Sequence, residues 1–314
     1  MNTDISIVIP FLNEEENLES LVAKINNYFS KMTEIKAEVI FVDDGSTDKS
    51  VELLEKCNHK FYSTKIIQLS KNFGSHAATR AGIFYADAEV VTFMSADLQE
   101  PIEIIGELYK KIKEGNDIAF VTKDSTQVGF FEKIFSKLYS KLMKKYAIPD
   151  YPEQGLHNIM FNKKVKEELN ANIESNSSLG LQILSLGFKK ASISCCLNKR
   201  NAGKSKWTLG KKIKLFIDSF VAFSYAPIRC VSLIGIVFAL FGFLGAIYTV
   251  IVKLFIQKDM PIGWPTLITI IMIGFGITNI SLGIIAEYLW RTLDSARNRK
   301  SFIVDKITSL NNDI

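Results

Sequence analysis

Hydrophobic and polar positions change character twice along the chain. Near the start, Ile5-Ser6-Ile7-Val8-Ile9-Pro10 is a β-branched run closed by proline, the pattern of a short buried strand. Asn13 then stands where it would cap a helix, with Glu14, Glu15 and Glu16 at the end where the helix dipole favours anions; that helix is predicted to run to about Phe29. A second strand over Glu38–Val42 leads into Asp43-Asp44-Gly45-Ser46-Thr47-Asp48 and a further helix. A third strand near Lys65–Leu69 precedes a helix over Ala77–Tyr85, and a fourth, Val90–Met94, ends in Ser95-Ala96-Asp97. Strand–helix alternation of this kind predicts an α/β fold, a mostly parallel sheet with helices on both faces. Ligands of such sheets bind beyond the carboxyl ends of the strands, which is where the polar clusters fall.

From Gly129 to Tyr146 the period becomes helical. Phe130, Phe131, Ile134, Phe135, Leu138, Leu142 and Met143 recur with Lys133, Lys137, Lys141, Lys144 and Lys145 between them. Two readings fit: a helix packed on the domain with a solvated basic face, or a basic amphipathic helix at an anionic membrane surface. Leu209–Tyr225 has the same character. From Val231 to Val252 no residue is charged, and a second such stretch runs from about Pro265 to Ala286. A helix of that length crosses a hydrocarbon core of roughly 30 Å. Lys204, Lys206, Lys211, Lys212 and Lys214 precede the pair and Arg291, Arg297, Arg299 and Lys300 follow it, whereas the connector carries few basic residues. The bias of basic residues places both flanks in the cytoplasm and the connector outside.

The expected organisation is a cytoplasmic catalytic domain over 1–208, an amphipathic interfacial segment over 209–230, a membrane hairpin over 231–290 (spans about 231–252 and 265–289) and a cytoplasmic tail over 291–314. Composition agrees: 47% hydrophobic residues beside 23% charged ones requires an uneven distribution, and a net charge of +5 does not point to nucleic acid. Cys57, Cys195, Cys196 and Cys230 form no CxxC pair, so neither a thiolate metal site nor a disulfide framework is expected. Cys195-Cys196 reads as strand. The N-terminus lacks the basic start of a signal peptide.

The strand-end clusters carry the candidate chemistry. Asp43 and Asp44 put carboxylates where a ribose or base edge binds, with Pro10, Asn13 and Glu14 at the neighbouring strand end. Ser70-Lys71-Asn72-Phe73-Gly74 offers a cation and amides. Asp97 and Gln99 supply a carboxylate and an amide oxygen two residues apart, hard ligands suited to Mg²⁺ or Mn²⁺ on a diphosphate. His76 and His157 are lone histidines, which more often serve as structural hydrogen-bonders than as catalysts.

The runs IVIPFLNEEENL, FVDDGSTD, LSKNFGSHAATRAG and SADLQEP together resemble family 2 glycosyltransferases with the GT-A (Rossmann-like) fold. The nearest resemblance is to the polyprenyl-phosphate, dolichyl-phosphate-mannose-synthase-like branch. Arg200-Asn201-Ala202-Gly203-Lys204-Ser205-Lys206-Trp207 is similar to that branch's segment before the membrane-proximal helix, and a two-helix C-terminal anchor is typical of its bacterial members. The resemblance implies that Pro10, Asn13, Glu14, Asp43, Asp44, Lys71, Asn72 and Ser95 line the nucleotide pocket. It implies that Asp97 and Gln99 hold Mg²⁺ or Mn²⁺, and that Lys123, Lys133 and Ser136 lie near the acceptor phosphate. Asp97, Arg200 and Lys206 are the implied catalytic groups, the last two holding diphosphate or acceptor charge. Its partners would be a nucleotide-sugar, UDP-linked by preference, a polyprenyl phosphate, the plasma membrane and further copies of the chain.

Three departures stand out. Ser95 replaces the first carboxylate of the family's Asp-x-Asp, Lys123 stands where arginine is usual, and His157 stands where many relatives have aspartate. One carboxylate with Gln99, waters and phosphate oxygens still completes an octahedron. A phosphate monoester is mostly a dianion at pH 7 and attacks without a general base, leaving catalysis to positioning and charge stabilisation. The rival expectations are a glycan or glycolipid hydroxyl as acceptor, which requires a base, and a nucleotide-sugar-binding membrane protein without turnover.

Overall fold

The computed structural model describes residues 3–97, 101–123, 130–152, 155–172, 178–195, 224, 226–251, 255, 263–297 and 299–310. The chain divides into two compact units, Met1–Ser219 with Lys300–Ile314, and Phe220–Arg299.

In the first unit, strands β1 (Ile5–Phe11), β2 (Ala37–Asp43), β3 (Ser63–Leu69) and β4 (Val90–Phe93) alternate with α1 (Glu15–Phe29), α2 (Ser50–Lys56) and α3 (Ser75–Phe84). The chain continues through α4 (Ile104–Lys113), β5 (Ile118–Lys123), α5 (Phe130–Tyr146), β6 (Ile159–Asn162), α6 (Lys163–Ala171), α7 (Leu179–Ser185) and β7 (Lys190–Cys195). A last strand, β8 (Val304–Leu310), follows the second unit, and the sheet order is β7-β5-β6-β4-β1-β2-β3-β8. The central β4-β1-β2-β3 block is parallel, as the alternation predicts. β6 is antiparallel to both β4 and β5, and β8 is antiparallel to β3, so the sheet is mixed. Residues 304–310 drew no strand prediction; they lie in the stretch read as tail.

β1 and β2 are buried almost throughout, which is why they read as near-continuous apolar runs. The core on one face joins Ile5, Ile7, Ile9, Val39 and Phe41 to the apolar stripe Leu18, Leu21, Ile25 and Phe29 of α1. Asn13 does not cap α1. Its φ of 51° is left-handed, the N-cap position belongs to Glu14, whose side chain makes no capping bond, and the first helical amide, that of Glu15, donates to Asp48 Oδ2 at 3.3 Å instead.

A buried ion pair fixes the amino edge of the block, away from the strand-end clusters. The Ser6 hydroxyl donates to Glu38 at 2.6 Å, and Lys65 Nζ reaches Glu38 at 2.9 Å and Asp87 at 3.1 Å. Burial alone would depress the Lys65 pKa, but its bonds to the two carboxylates reverse this and raise it.

The second unit holds two long helices, α8 (Ala226–Ile251) and α9 (Trp264–Ala296). Both contain stretches long and apolar enough to cross a membrane, and large side chains such as Ile236, Phe241, Phe243, Phe275 and Ile280 are exposed. The hydroxyls of Ser232, Thr278 and Ser281 bond back to carbonyls four residues earlier, which satisfies them without water. Glu287 pairs with Arg291 one turn on, at 2.9 Å.

Gly82 of α3 lies on β1: a Cβ there would collide with Val8 Cγ1 and stand 3.0 Å from Val42 Cγ2. Alanine gains up to about 1 kcal/mol in helix propensity, while forcing a methyl into a packed core costs about 1–3 kcal/mol. Gly82→Ala is therefore expected to lower the thermal midpoint of the purified protein; an unchanged or raised midpoint would refute this packing account.

Candidate active site

Because β4, β1, β2 and β3 are parallel neighbours, the loops that follow them emerge side by side at one sheet edge. A backbone bond ties the loops after β1 and β2 together: the Asp44 amide donates to Phe11 O at 2.9 Å. Asn13 adds the next tie. Its Oδ1 accepts from the Thr47 amide at 2.8 Å, and its own amide donates to Ser46 Oγ at 2.9 Å. The Glu14 amide donates to Ser50 Oγ at 2.9 Å, and the Glu14 carboxylate accepts from Asn17 Nδ2 at 2.7 Å. Pro10 sits half-buried at the end of β1 opposite Val42. Asn13 and Glu14 thus bind the β2 loop to the β1 loop.

Asp43 and Asp44 are both buried. Asp43 Oδ1 accepts from the Ser46 amide at 2.9 Å, which turns the chain at Gly45. Asp44 reaches across to the loop after β3: its carboxylate accepts from the Phe73 amide at 2.7 Å and from the Gly74 amide at 3.0 Å. Burial raises the Asp44 pKa, and these two amides oppose the rise while the neighbouring Asp43 charge adds to it.

Gly45 makes the approach possible. Its φ is +79°, and a Cβ would stand 2.8 Å from both the Lys71 carbonyl carbon and the Asn72 amide nitrogen. Asn72 and Lys71 are exposed on the far side of this contact, with Lys71 Nζ 5.1 Å above the Phe73 ring. The sequence places Gly45, Gly74 and the loop amides in the strand-end clusters, but not the bonds from those amides to Asp44 or the close approach at Gly45. The one available signal was Asp-Gly at a strand end, common turn chemistry.

After β4, Asp97 is buried and Ser95 is exposed; the Ser95 hydroxyl donates to Asp97 Oδ1 at 2.7 Å. The serine in place of the first acid therefore orients the second. Among the described residues, no three acidic, histidine or cysteine side chains converge as a metal site. Among the described residues that follow β4, Asp97 is the hard anionic donor. That fits a cation finishing its shell with diphosphate oxygens and water, as Mg²⁺ commonly does.

The other candidates are placed less fully. Lys123 ends β5, and Lys133 and Ser136 lie within α5, but the description does not extend to these side chains. Gln99, Arg200 and Lys206 lie outside the described residues, as does nearly all of Leu209–Tyr225. In the described half of α5, Met143 is buried while Leu138, Lys141, Lys144, Lys145 and Tyr146 are exposed. His157 is held by its main chain, the amide donating to Val121 O at 3.0 Å. His76 opens α3, where burial first and the charge of Arg80 second lower its pKa, keeping the ring neutral near pH 7.

Gly45→Ala forces the β2 and β3 loops apart and strains a left-handed residue. The expected result is a fall in nucleoside diphosphate affinity of about tenfold or more, the equivalent of roughly 1.4 kcal/mol. Calorimetric titration with UDP and GDP checks it, and unchanged affinity would refute it.

The model of "Glycosyl transferase family 2" matches residues 6–170. The chain is 32% identical over 308 residues to an uncharacterized glycosyltransferase of Bacillus subtilis, YkcC, with 98% of this chain and 95% of that protein covered. It is 28% identical over 309 residues to the undecaprenyl-phosphate 4-deoxy-4-formamido-L-arabinose transferase of Photorhabdus laumondii, covering 98% and 95%. Among solved structures, a mannosyltransferase from Pyrobaculum calidifontis in complex with GDP-Man and Mn²⁺ gives a TM-score of 0.46 at 16% identity, covering 65% of this chain and 59% of that one. A family match spanning more than half of the chain, with end-to-end relatives, assigns it: the protein is a glycosyltransferase of family 2.

Proposed function

We propose that the protein transfers a sugar, with inversion, from a nucleoside diphosphate sugar to a polyprenyl phosphate at the cytoplasmic face of the plasma membrane. One observation carries the acceptor. The family model stops at residue 170, yet similarity to undecaprenyl-phosphate transferases covers 98% of the chain, through both membrane-length helices. A lipid acceptor gives those helices a reason to be part of the shared enzyme.

The chain's residues divide the work. Asp43, Asp44 and the loop amides hold the nucleoside, with Lys71 beside its phosphates. Asp97, oriented by Ser95, holds Mg²⁺ or Mn²⁺ together with Gln99. When bound, that ion neutralises charge developing on the leaving diphosphate. Arg200 and Lys206 add cationic charge to diphosphate or acceptor, and Lys123, Lys133 and Ser136 receive the lipid phosphate. A phosphate oxygen attacks the anomeric carbon as the bond to the diphosphate breaks, and the nucleoside diphosphate leaves with that electron pair. No proton need be removed from the nucleophile, because the acceptor phosphate is already largely a dianion. UDP is the preferred donor nucleotide, and synthesis or modification of cell-surface glycan the setting.

In detergent, with undecaprenyl phosphate, Mn²⁺ or Mg²⁺ and a panel of labelled UDP- and GDP-sugars, label from one donor is expected in the organic-extractable lipid. EDTA should abolish transfer, and Asp97→Ala should reduce it about a hundredfold or more. Label reaching no lipid while nucleotide still binds would contradict the acceptor, and transfer to a hydroxyl glycan would replace it.

Both flanks of the hairpin are assigned to the cytoplasm. The basic residues support this, and so does β8: a strand following α9 pairs with β3 only if the segments on either side of the two helices share one compartment. Alkaline phosphatase fused after Asp259 should be active and fused after Lys300 inactive; the reverse pattern would overturn the orientation.

A further inference from the structure

The nucleotide edge is completed by a segment that sequence reading left as tail. β8 covers the outer edge of β3 in register from Thr64↔Leu310 to Leu69↔Val304, with one shift between Gln68 and Leu69. The contact continues past the strand. The Ser70 amide, the first group of the loop Ser70–Gly74, donates to Ile303 O at 3.0 Å. Phe302 sets its ring 6.2 Å from that of Phe84, at the last turn of the helix this loop begins. Leu310 packs on the main core, and Lys306 lies 3.5 Å from Glu55 of α2, an exposed pair worth little by itself.

The loop held in this way is the one that receives Asp44 through the Phe73 and Gly74 amides and accepts the close approach of Gly45 at Lys71 and Asn72. Without residues 301–310, β3 becomes an edge strand and the Ser70 amide loses its acceptor immediately before Lys71. An edge strand with open donors and acceptors frays and pairs elsewhere more readily than a covered one.

We infer that residues 302–310 form a positioning clasp for the donor pocket, holding the Ser70–Gly74 loop in the geometry that binds the nucleoside diphosphate. The inference rests on the reading of this edge as the nucleotide site. Its signature is selectivity: loss of the clasp weakens donor binding and leaves acceptor binding alone, because residues 302–310 touch β3, α2 and α3, at the opposite side of the sheet from β5, whose Lys123 is one of the proposed acceptor groups.

The test compares the full chain with Phe302→Ala and with a chain ending at Lys300. UDP and GDP affinities are measured by calorimetry, and donor and polyprenyl-phosphate KM values by lipid-transfer assay. Far-UV circular dichroism and thermal midpoints monitor folding. For the nucleotide that the full chain binds, both variants should bind about tenfold more weakly, with donor KM rising in step and acceptor KM moving less than about twofold. A synthetic peptide of residues 301–314 added to the shortened chain should restore its nucleotide affinity. Nucleotide affinity within about twofold of the full chain in both variants would overturn the clasp, as would donor and acceptor KM rising together with a loss of helical signal. A full chain that binds neither UDP nor GDP would instead remove the nucleotide reading on which the clasp rests.

Discussion

The carboxylate of Asp44 ties the end of β2 to the loop after β3 by accepting two backbone amides, while Gly45 lets the two backbones touch. Neither half would serve alone. A carboxylate buried at this depth needs donors to offset its lost hydration, and the loop amides need an acceptor if they are not to face solvent. Burial nevertheless raises the Asp44 pKa, so part of the desolvation cost remains and a bound ligand offering hydroxyl donors would relieve it. The ordered loops of Asn13, Ser46 and Thr47 on one side and of β8 on the other are built around this latch.

The sheet makes the latch possible by keeping four strands parallel and in order. Burial of both faces of β1 and β2 leaves polar groups only at the two strand ends. At the amino end they are consumed in the Ser6–Glu38–Lys65–Asp87 network. At the carboxyl end they are arranged around loops with left-handed residues Asn13, Gly45 and Gly74, a conformation tolerated where surrounding bonds determine it. One end is a structural tie and the other the proposed binding surface.

Much of this was legible in the sequence because its signals are local. β-branched runs closed by polar turns marked β1 to β4, and uncharged stretches marked the two apolar helices. The acids Asp43, Asp44 and Asp97 were recognisable from their strand-end positions, and the structure puts them at the carboxyl ends of β2 and β4, parallel strands with β1 between them. What was not legible depends on distant partners. Asn13 looks like a helix cap, but the Thr47 amide takes its oxygen instead, a bond between residues 34 apart. β8 carries charges at Asp305 and Lys306 and reads as tail, and only its pairing with β3 across most of the chain makes it a strand. Ser95 reads as a missing metal ligand, and its hydroxyl bond to Asp97 cannot be seen without the turn that aligns them.

The most direct test of the latch is calorimetric titration of UDP and GDP into the wild-type protein and Asp44→Asn, with and without Mn²⁺. Asparagine keeps one acceptor oxygen, so the fold should survive with its thermal midpoint little changed. The account predicts that the wild type binds one of the nucleotides, more tightly with the ion. It predicts a loss of about tenfold or more in Asp44→Asn, the scale of a hydrogen bond to a charged group. Equal affinity in the two proteins would contradict the assignment of this edge as the nucleotide site.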